Sequence, residues 1–195
     1  MINRSSCVLC ALLLLAMTAP VAVSQRAAGE PCDRACLRGF ITSYLDALKT
    51  ATAAMTTVPE RSRLASRDEA IRIAQFYPAG LRAGSFVNVD VPSAAAAYRF
   101  ENGRLMAGPG CTFMPGCDNI KTQKIPTLRD TTPRLAAVDE DLGIVWFRLD
   151  FGAGSTQGTS TKLIVWEAFK VYGGQIHAVE AFMETVPMGA GSGWD

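Results

Sequence analysis

Hydrophobic residues follow two different periods along this chain. Over residues 33–55 they recur at steps of three and four, which predicts a helix with one apolar stripe. The stripe consists of Leu37, Phe40, Ile41, Tyr44, Leu45 and Leu48. A second, short helix is predicted after Ser66, because Ser66 and Glu69 have the spacing of a capping box. Pro78 and Gly80 predict its end.

After Gly84 the pattern becomes one of short, β-prone apolar segments, which predicts strands. Ser85–Asp90 is one such segment, and Asn102-Gly103 predicts a tight hairpin between Ala97–Glu101 and Arg104–Met106. A meander is predicted from four later strands: Arg134–Val138, Ile144–Phe151, Lys162–Val171 and Gln175–Met183. This order of elements predicts an α+β domain. We expect a curved antiparallel sheet packed on the N-terminal helices, shaped like a cone and with a pocket at the cone mouth.

Strand alternation singles out two carboxylates. Glu167 shares a face with Leu163, Val165, Phe169 and Val171, and Glu180 shares one with Ile176, Ala178 and Phe182. If these apolar rows face into the cone, each glutamate is desolvated and its pKa is raised, as a general acid or base requires. Glu167 and Glu180 are therefore the candidate catalytic pair. Alternatively, either glutamate pairs with Arg148 or Arg99, or lies at a strand end in water.

One histidine and several aromatic residues complete the candidate site. His177 is a natural proton carrier near neutral pH, but it falls on the opposite face unless a β-bulge reverses it. A structural role for His177 is the alternative. Tyr98 and Tyr44 could offer hydroxyl groups to a substrate, although buried tyrosines commonly serve packing. Phe147 and Phe169 lie in apolar rows and are expected to line the substrate pocket.

The other face of the predicted sheet carries Trp146, Trp166 and Ile164. A soluble monomer rarely exposes such an apolar patch, so the pattern predicts a homodimer interface. The alternative is that residues 118–128 fold over the two tryptophans.

Residues 1–24 have the pattern of a secretory signal peptide, with a basic residue, an apolar core at residues 7–17 and small residues before cleavage after Ser24. The core is short for a bilayer span, although an uncleaved anchor is the alternative. Cleavage leaves a single predicted domain, residues 25–195. We expect this domain to be periplasmic or secreted, without stable membrane insertion.

Four cysteines follow the predicted cleavage site: Cys32, Cys36, Cys111 and Cys117. An even number in an exported chain predicts disulfides. The local pairs Cys32–Cys36 and Cys111–Cys117 are favoured, while crossed pairing stays open. A four-cysteine zinc site is a weaker alternative, because Cys111 and Cys117 are spaced more widely than paired zinc ligands usually are.

Composition narrows the possible functions. The chain has 195 residues, a net charge of +1 and one histidine. The balanced charge argues against nucleic-acid binding, and a multi-histidine metal site is excluded. Because neither a dinucleotide fingerprint nor a phosphate-binding loop is present, we expect no cofactor. The single histidine and the wide cysteine spacing predict that no metal is bound.

A family resemblance is carried by six short segments: Cys32–Leu37, Tyr44–Leu48, Phe100–Gly103, Trp166-Glu167, Gly173–Ile176 and Glu180-Ala181. They resemble the nuclear-transport-factor-2-like, or SnoaL-like, superfamily, and in particular an exported subgroup of largely uncharacterised function. The chain departs from that subgroup at Phe100, where threonine is usual. The resemblance implies a cone-shaped pocket and often a dimer. The superfamily includes ketosteroid isomerases, polyketide cyclases, dehydratases, epoxide hydrolases and cofactor-free lyases, as well as non-enzymatic binding proteins.

Three functional hypotheses follow. The leading one is a cofactor-independent lyase, isomerase or cyclase that acts on a mostly apolar, aromatic or polycyclic substrate, with Glu167 and Glu180 moving a proton. The second is a non-catalytic exported protein that binds a small ligand in the same pocket. A purely structural dimerisation module is the third.

Overall fold

The computed structural model describes residues 53–152 and 160–190. Several sequence predictions lie outside these residues: the signal peptide, most of the first helix, Tyr44 and the Cys32–Cys36 pair. Within the described ranges, no helix is both long enough and apolar enough to span a bilayer.

The described residues form helices first and strands afterwards. A short helix α1 at Ala53–Thr56 and a 3₁₀ turn at Arg61–Arg63 precede the long helix α2 at Arg67–Ala83. The strands are β1 at Ser93–Glu101, β2 at Arg104–Ala107, β3 at Thr132–Asp139, β4 at Ile144–Asp150, β5 at Thr161–Tyr172 and β6 at Gln175–Pro187. The predicted α+β class, the hairpin and the four-stranded meander are confirmed.

In the described part of the chain, the strands form one curved, unclosed sheet in the order β2-β1-β6-β5-β4-β3. The prediction of an entirely antiparallel sheet is wrong, because β1 runs parallel to β6. Every other pair of neighbours is antiparallel. The β1–β2 hairpin thus attaches to the last strand of the meander. Residues 108–131 then connect β2 to β3, at the far edge of the sheet.

Helix α2 begins as predicted but extends further. Ser66 is its N-cap, and its side chain accepts a hydrogen bond from the Glu69 backbone N–H. Pro78 and Gly80 are not the end of the helix but lie inside it, where both are buried. A side chain at position 80 would collide with the Phe86 ring, so the close packing requires glycine. The helix ends instead at Ala83, and its C-cap Gly84 adopts the left-handed conformation that favours glycine.

The segment after the helix is also corrected. Residues 86–90 form turns rather than the predicted strand. Backbone hydrogen bonds run from Asp90 N–H to the Val87 carbonyl and from Val91 N–H to the Phe86 carbonyl. These local bonds return the chain against α2, and Phe86 stacks on Tyr77 with ring centroids 4.7 Å apart.

The main hydrophobic core lies between α2 and one face of the sheet, which we call the helix face. Tyr77 of α2 makes an edge contact with Phe169 at 5.2 Å, and Phe169 in turn contacts Phe147 at 5.7 Å. A smaller cluster lies on the opposite face, where Met55 packs with Ala168 and Ala178. The sheet therefore has apolar contacts on both faces.

The favoured local disulfide between Cys111 and Cys117 is present, with Cα atoms 5.6 Å apart. It closes a turn in which the Gly108 N–H donates to the Cys117 carbonyl over 2.7 Å. A disulfide of this kind is typical of an oxidising compartment.

Candidate functional site

A cavity of about 240 Å³ lies on the helix face, between the sheet, α2 and the connection of residues 108–131. Most of its lining side chains are aliphatic, aromatic or methionine. The polar side chains that line it are Tyr77, Arg99, Glu101, Gln123, Lys124 and Glu167. A mostly apolar cavity with a few polar groups is typical of small-molecule sites, although this one is slightly smaller than most.

Glu167 is the buried carboxyl group of this cavity. It lies on β5, with Phe147 directly opposite on β4 and Ala181 directly opposite on β6. The residue is only 3% exposed, and its Oε2 atom has no hydrogen-bond partner among the described residues. Burial raises the pKa of Glu167 to about 8, although the nearby Arg99 charge opposes this shift. The carboxyl group can therefore hold or release a proton near neutral pH.

Arg99 organises the polar groups around Glu167. Its Nη1 donates a hydrogen bond to the Tyr77 hydroxyl over 3.0 Å, and its Nε lies 2.9 Å from Glu101 Oε1. Strand alternation on β1 places Arg99 and Glu101 on the helix face, since they pair with Val179 and Ala181 of β6. Burial raises the pKa of Tyr77, so its hydroxyl stays protonated.

Gln123 lies on the wall of the cavity formed by the connection between β2 and β3. Asn119 forms a turn just before it, with its side-chain oxygen accepting hydrogen bonds from the backbone of Lys121 and Thr122. The Gln123 Nε2 then donates to the Met106 carbonyl over 2.8 Å. No hydrophobic period marks this segment, so sequence analysis did not identify Gln123.

Glu180 is buried on the face of the sheet opposite to Glu167, so the prediction that they share a face is wrong. The cause is a β-bulge at His177. Val171 pairs with Ile176, whereas Lys170 pairs with Ala178, which leaves His177 as an extra residue on β6. Every residue of β6 after the bulge therefore points to the face opposite to that predicted from Ile176.

Of the other predicted site residues, those that the structure describes lie outside the cavity wall. His177 stacks on Tyr172 at the β5–β6 hairpin, and its Nε2 is 3.1 Å from the Tyr172 carbonyl oxygen. Burial lowers the pKa of His177. Tyr98 packs against the small cluster on the opposite face, while Phe147 and Phe169 are core residues of the helix face. Tyr44 lies outside the described residues.

The structure brings Tyr77, Arg99 and Gln123 to the site, none of which was predicted to act there. For Arg99 a signal existed, because a charged residue next to apolar positions in a strand often marks a polar site. In the part of the chain that the structure describes, no three His, Cys, Asp or Glu side chains converge as a metal ion would require.

Comparison with known families gives a match over residues 63–183, to the family described as "Domain of unknown function (DUF8021)". The chain belongs to this family. The matched segment contains every residue that lines the cavity, from Tyr77 to Met183. The DUF8021 domain is therefore the part of the chain that forms the candidate site.

Among solved structures, the chain is similar to an NTF2-like protein of unknown function from Shewanella baltica OS155. The two share 15% identity with a TM-score of 0.37, over 62% of this chain and 93% of that chain. No curated protein matches the chain.

The charges around Glu167 in this DUF8021 domain allow a paired test. Arg99→Met removes the positive charge that opposes protonation and is expected to raise the pKa of Glu167 above 8 by roughly one unit. Glu101→Gln removes a negative charge and is expected to lower it. The measurement is a ¹³C NMR titration of glutamate carboxyl groups, assigned with Glu167→Gln.

Arg148→Met is the matched control, since Arg148 is also a buried arginine. It lies across from Trp166 of β5, on the opposite face of the sheet. It should leave the titration of Glu167 unchanged. If the Arg99 and Glu101 variants shift the pKa in the same direction, the assignment of these charges is wrong.

Proposed function

We propose that this DUF8021 protein is a cofactor-independent acid–base enzyme, a lyase, isomerase or cyclase, that acts on a small and mostly apolar substrate. The observation that carries the proposal is the buried Glu167 carboxyl group in the cavity, with its pKa raised to about 8. General acid–base catalysis is most efficient when the pKa of the group lies near the working pH.

Glu167 is the proton-transfer group of this proposal. With a pKa near 8, a substantial fraction of the protein holds the proton and a smaller fraction has released it at pH 7. Glu167 can thus remove a proton from one atom of a bound substrate and return it to another, which leaves the enzyme unchanged. Glu180 is not part of this scheme, because it lies on the opposite face.

Arg99 and Tyr77 support the same chemistry. The Arg99 side chain is 8% exposed and lies close enough to Glu167 for its charge to favour the ionised carboxylate. The hydrogen bond from Arg99 keeps the Tyr77 hydroxyl group in place at the cavity wall. We assign both residues a positioning role.

A non-catalytic ligand-binding protein is the second candidate function. It is favoured by the predominance of apolar side chains in the cavity, which would hold a small molecule without any reaction. The two candidates differ in whether a bound molecule exchanges protons with the protein.

Deuterium exchange distinguishes the two functions. Purified protein is incubated in D₂O with a panel of small apolar carbon acids, and deuterium uptake into each compound is followed by mass spectrometry. An acid–base enzyme is expected to catalyse uptake into a subset of compounds that bind. Binding with no catalysed uptake in any compound would favour the non-catalytic, ligand-binding function.

We also propose that the protein forms a homodimer through Trp146, Ile164 and Trp166, which lie on the opposite face and are each partly exposed. Trp166→Glu places a charge in this patch and is expected to yield a monomer by light scattering. Val87→Glu is the matched control, because Val87 is exposed in the turn after α2. A wild-type protein that is monomeric at high micromolar concentration would contradict the dimer.

We also propose that the protein is exported. The Cys111–Cys117 disulfide supports a periplasmic or secreted location, since such bonds form in oxidising compartments.

A further inference from the structure

In the side-chain amide of Gln123, the nitrogen is hydrogen-bonded to the protein but the oxygen is not bonded to any described residue. Its Nε2 donates to the Met106 carbonyl oxygen over 2.8 Å and lies 3.6 Å from the Met114 sulfur. Reversing the amide would bring Oε1 against that carbonyl oxygen, so the hydrogen bond fixes the orientation. Gln123 is only 4% exposed, and its Oε1 has no hydrogen-bond partner among the described residues.

A buried acceptor without a partner is unfavourable, because it has lost its hydrogen bonds to water. Gln123 is among the residues that line the cavity, and its Oε1 is itself closed to water. A bound molecule therefore reaches this oxygen when the neighbouring side chains move slightly. The remaining capacity of the side chain is purely that of an acceptor, since its amide hydrogens are directed to the protein. A ligand would therefore have to supply a donor.

Glu167 Oε2 is a second buried oxygen that has no hydrogen-bond partner among the described residues. The two side chains come from different walls of the cavity, Glu167 from β5 and Gln123 from the connection between β2 and β3. The rest of the lining is largely apolar. This arrangement fits a molecule with an apolar body and a polar group.

We infer that the cavity selects apolar molecules that carry a hydroxyl or amine group, which donates a hydrogen bond to Gln123 Oε1. The inference rests on the proposed function, since it names the ligand class for the same cavity. Gln123 is then the residue that determines specificity, and Glu167 is left free to react with another part of the molecule.

Three aromatic probes of similar size test the inference with the full-length protein. 1-Naphthol can donate a hydrogen bond, 1-methoxynaphthalene can only accept one, and 1-methylnaphthalene can do neither. Dissociation constants are measured by NMR titration. We expect 1-naphthol to bind at least ~10-fold more tightly than either of the other probes, because they leave Gln123 Oε1 unpaired.

Gln123→Met keeps the length of the side chain and removes the acceptor. In this variant the preference for 1-naphthol is expected to fall to within about 3-fold. Gln175→Met is the matched control, since Gln175 is exposed at the start of β6, and it should keep the full preference. If Gln123→Met does not fold, the Gln123 side-chain amide resonance of the wild type should shift with 1-naphthol but not with 1-methylnaphthalene.

Three results would overturn the inference: equal affinities for the three probes, a preference that persists in folded Gln123→Met, or no binding of any probe up to about 1 mM. These results are separate from a failure of the proposed catalysis. A preference for 1-naphthol without deuterium exchange in any compound would count against catalysis alone. Efficient exchange in compounds without a donor would count against the role of Gln123 alone.

Discussion

Replacing Glu167 by glutamine is expected to lower turnover at least ~100-fold on any compound that the wild type converts or exchanges. Glutamine has nearly the same shape as a protonated glutamate, but it cannot accept and return a proton. Affinity for the compound should change little, because the apolar lining stays the same. The measurement is kcat and KM for the compound identified by deuterium exchange.

Glu180→Gln is a closely matched control for this substitution. Glu180 is 2% exposed and Glu167 is 3% exposed, and both lie in neighbouring strands of the same sheet. Only Glu167 is on the helix face, where the cavity lies. Turnover should therefore survive Glu180→Gln in protein that remains folded. An equal loss in both variants would indicate a structural effect rather than proton transfer.

The raised pKa of Glu167 also predicts how stability depends on pH. Burial raises the pKa from its usual value of 4.5 to about 8, so the folded state holds a proton that the unfolded state has released between these values. The stability that the protonated Glu167 contributes to the free energy of unfolding is fully present below pH 4.5. It is lost as the pH rises through 8. The expected loss is about 5 kcal/mol, since each pKa unit corresponds to about 1.4 kcal/mol.

Glu167→Gln removes this dependence, because glutamine does not titrate. Urea unfolding of the two proteins at pH 5, 7 and 9 gives the comparison, and all other titrating groups are shared. The variant should gain stability relative to the wild type as the pH rises, by roughly 1.4 kcal/mol per unit across the window. Parallel curves for the two proteins would show that the pKa of Glu167 is not raised.

Local signals in the sequence predicted most of the elements. Asn102-Gly103 predicts the β1–β2 hairpin because asparagine and glycine tolerate positive φ, and both residues adopt it. The alternation along β5 predicts a lone carboxylate in an apolar row, and Glu167 is buried there. These predictions succeed because each depends on residues close together in the chain.

Other features depend on contacts between distant residues. Pro78 and Gly80 are helix breakers by local rules, yet α2 continues through both because its buried face packs on Phe86 and the core. The parallel pairing of β1 and β6 is equally invisible to alternation, which indicates faces but not strand direction.

By itself, the sequence determined that this is an α+β domain and that Glu167 is an isolated carboxylate among apolar neighbours, since both follow from periods of a few residues. The tertiary structure decided which groups surround it. One bulge at His177 moves Glu180 to the opposite face, and an irregular connection brings Gln123 to the cavity. A single extra residue reverses every later side chain of a strand, and only the pairing with β5 reveals it.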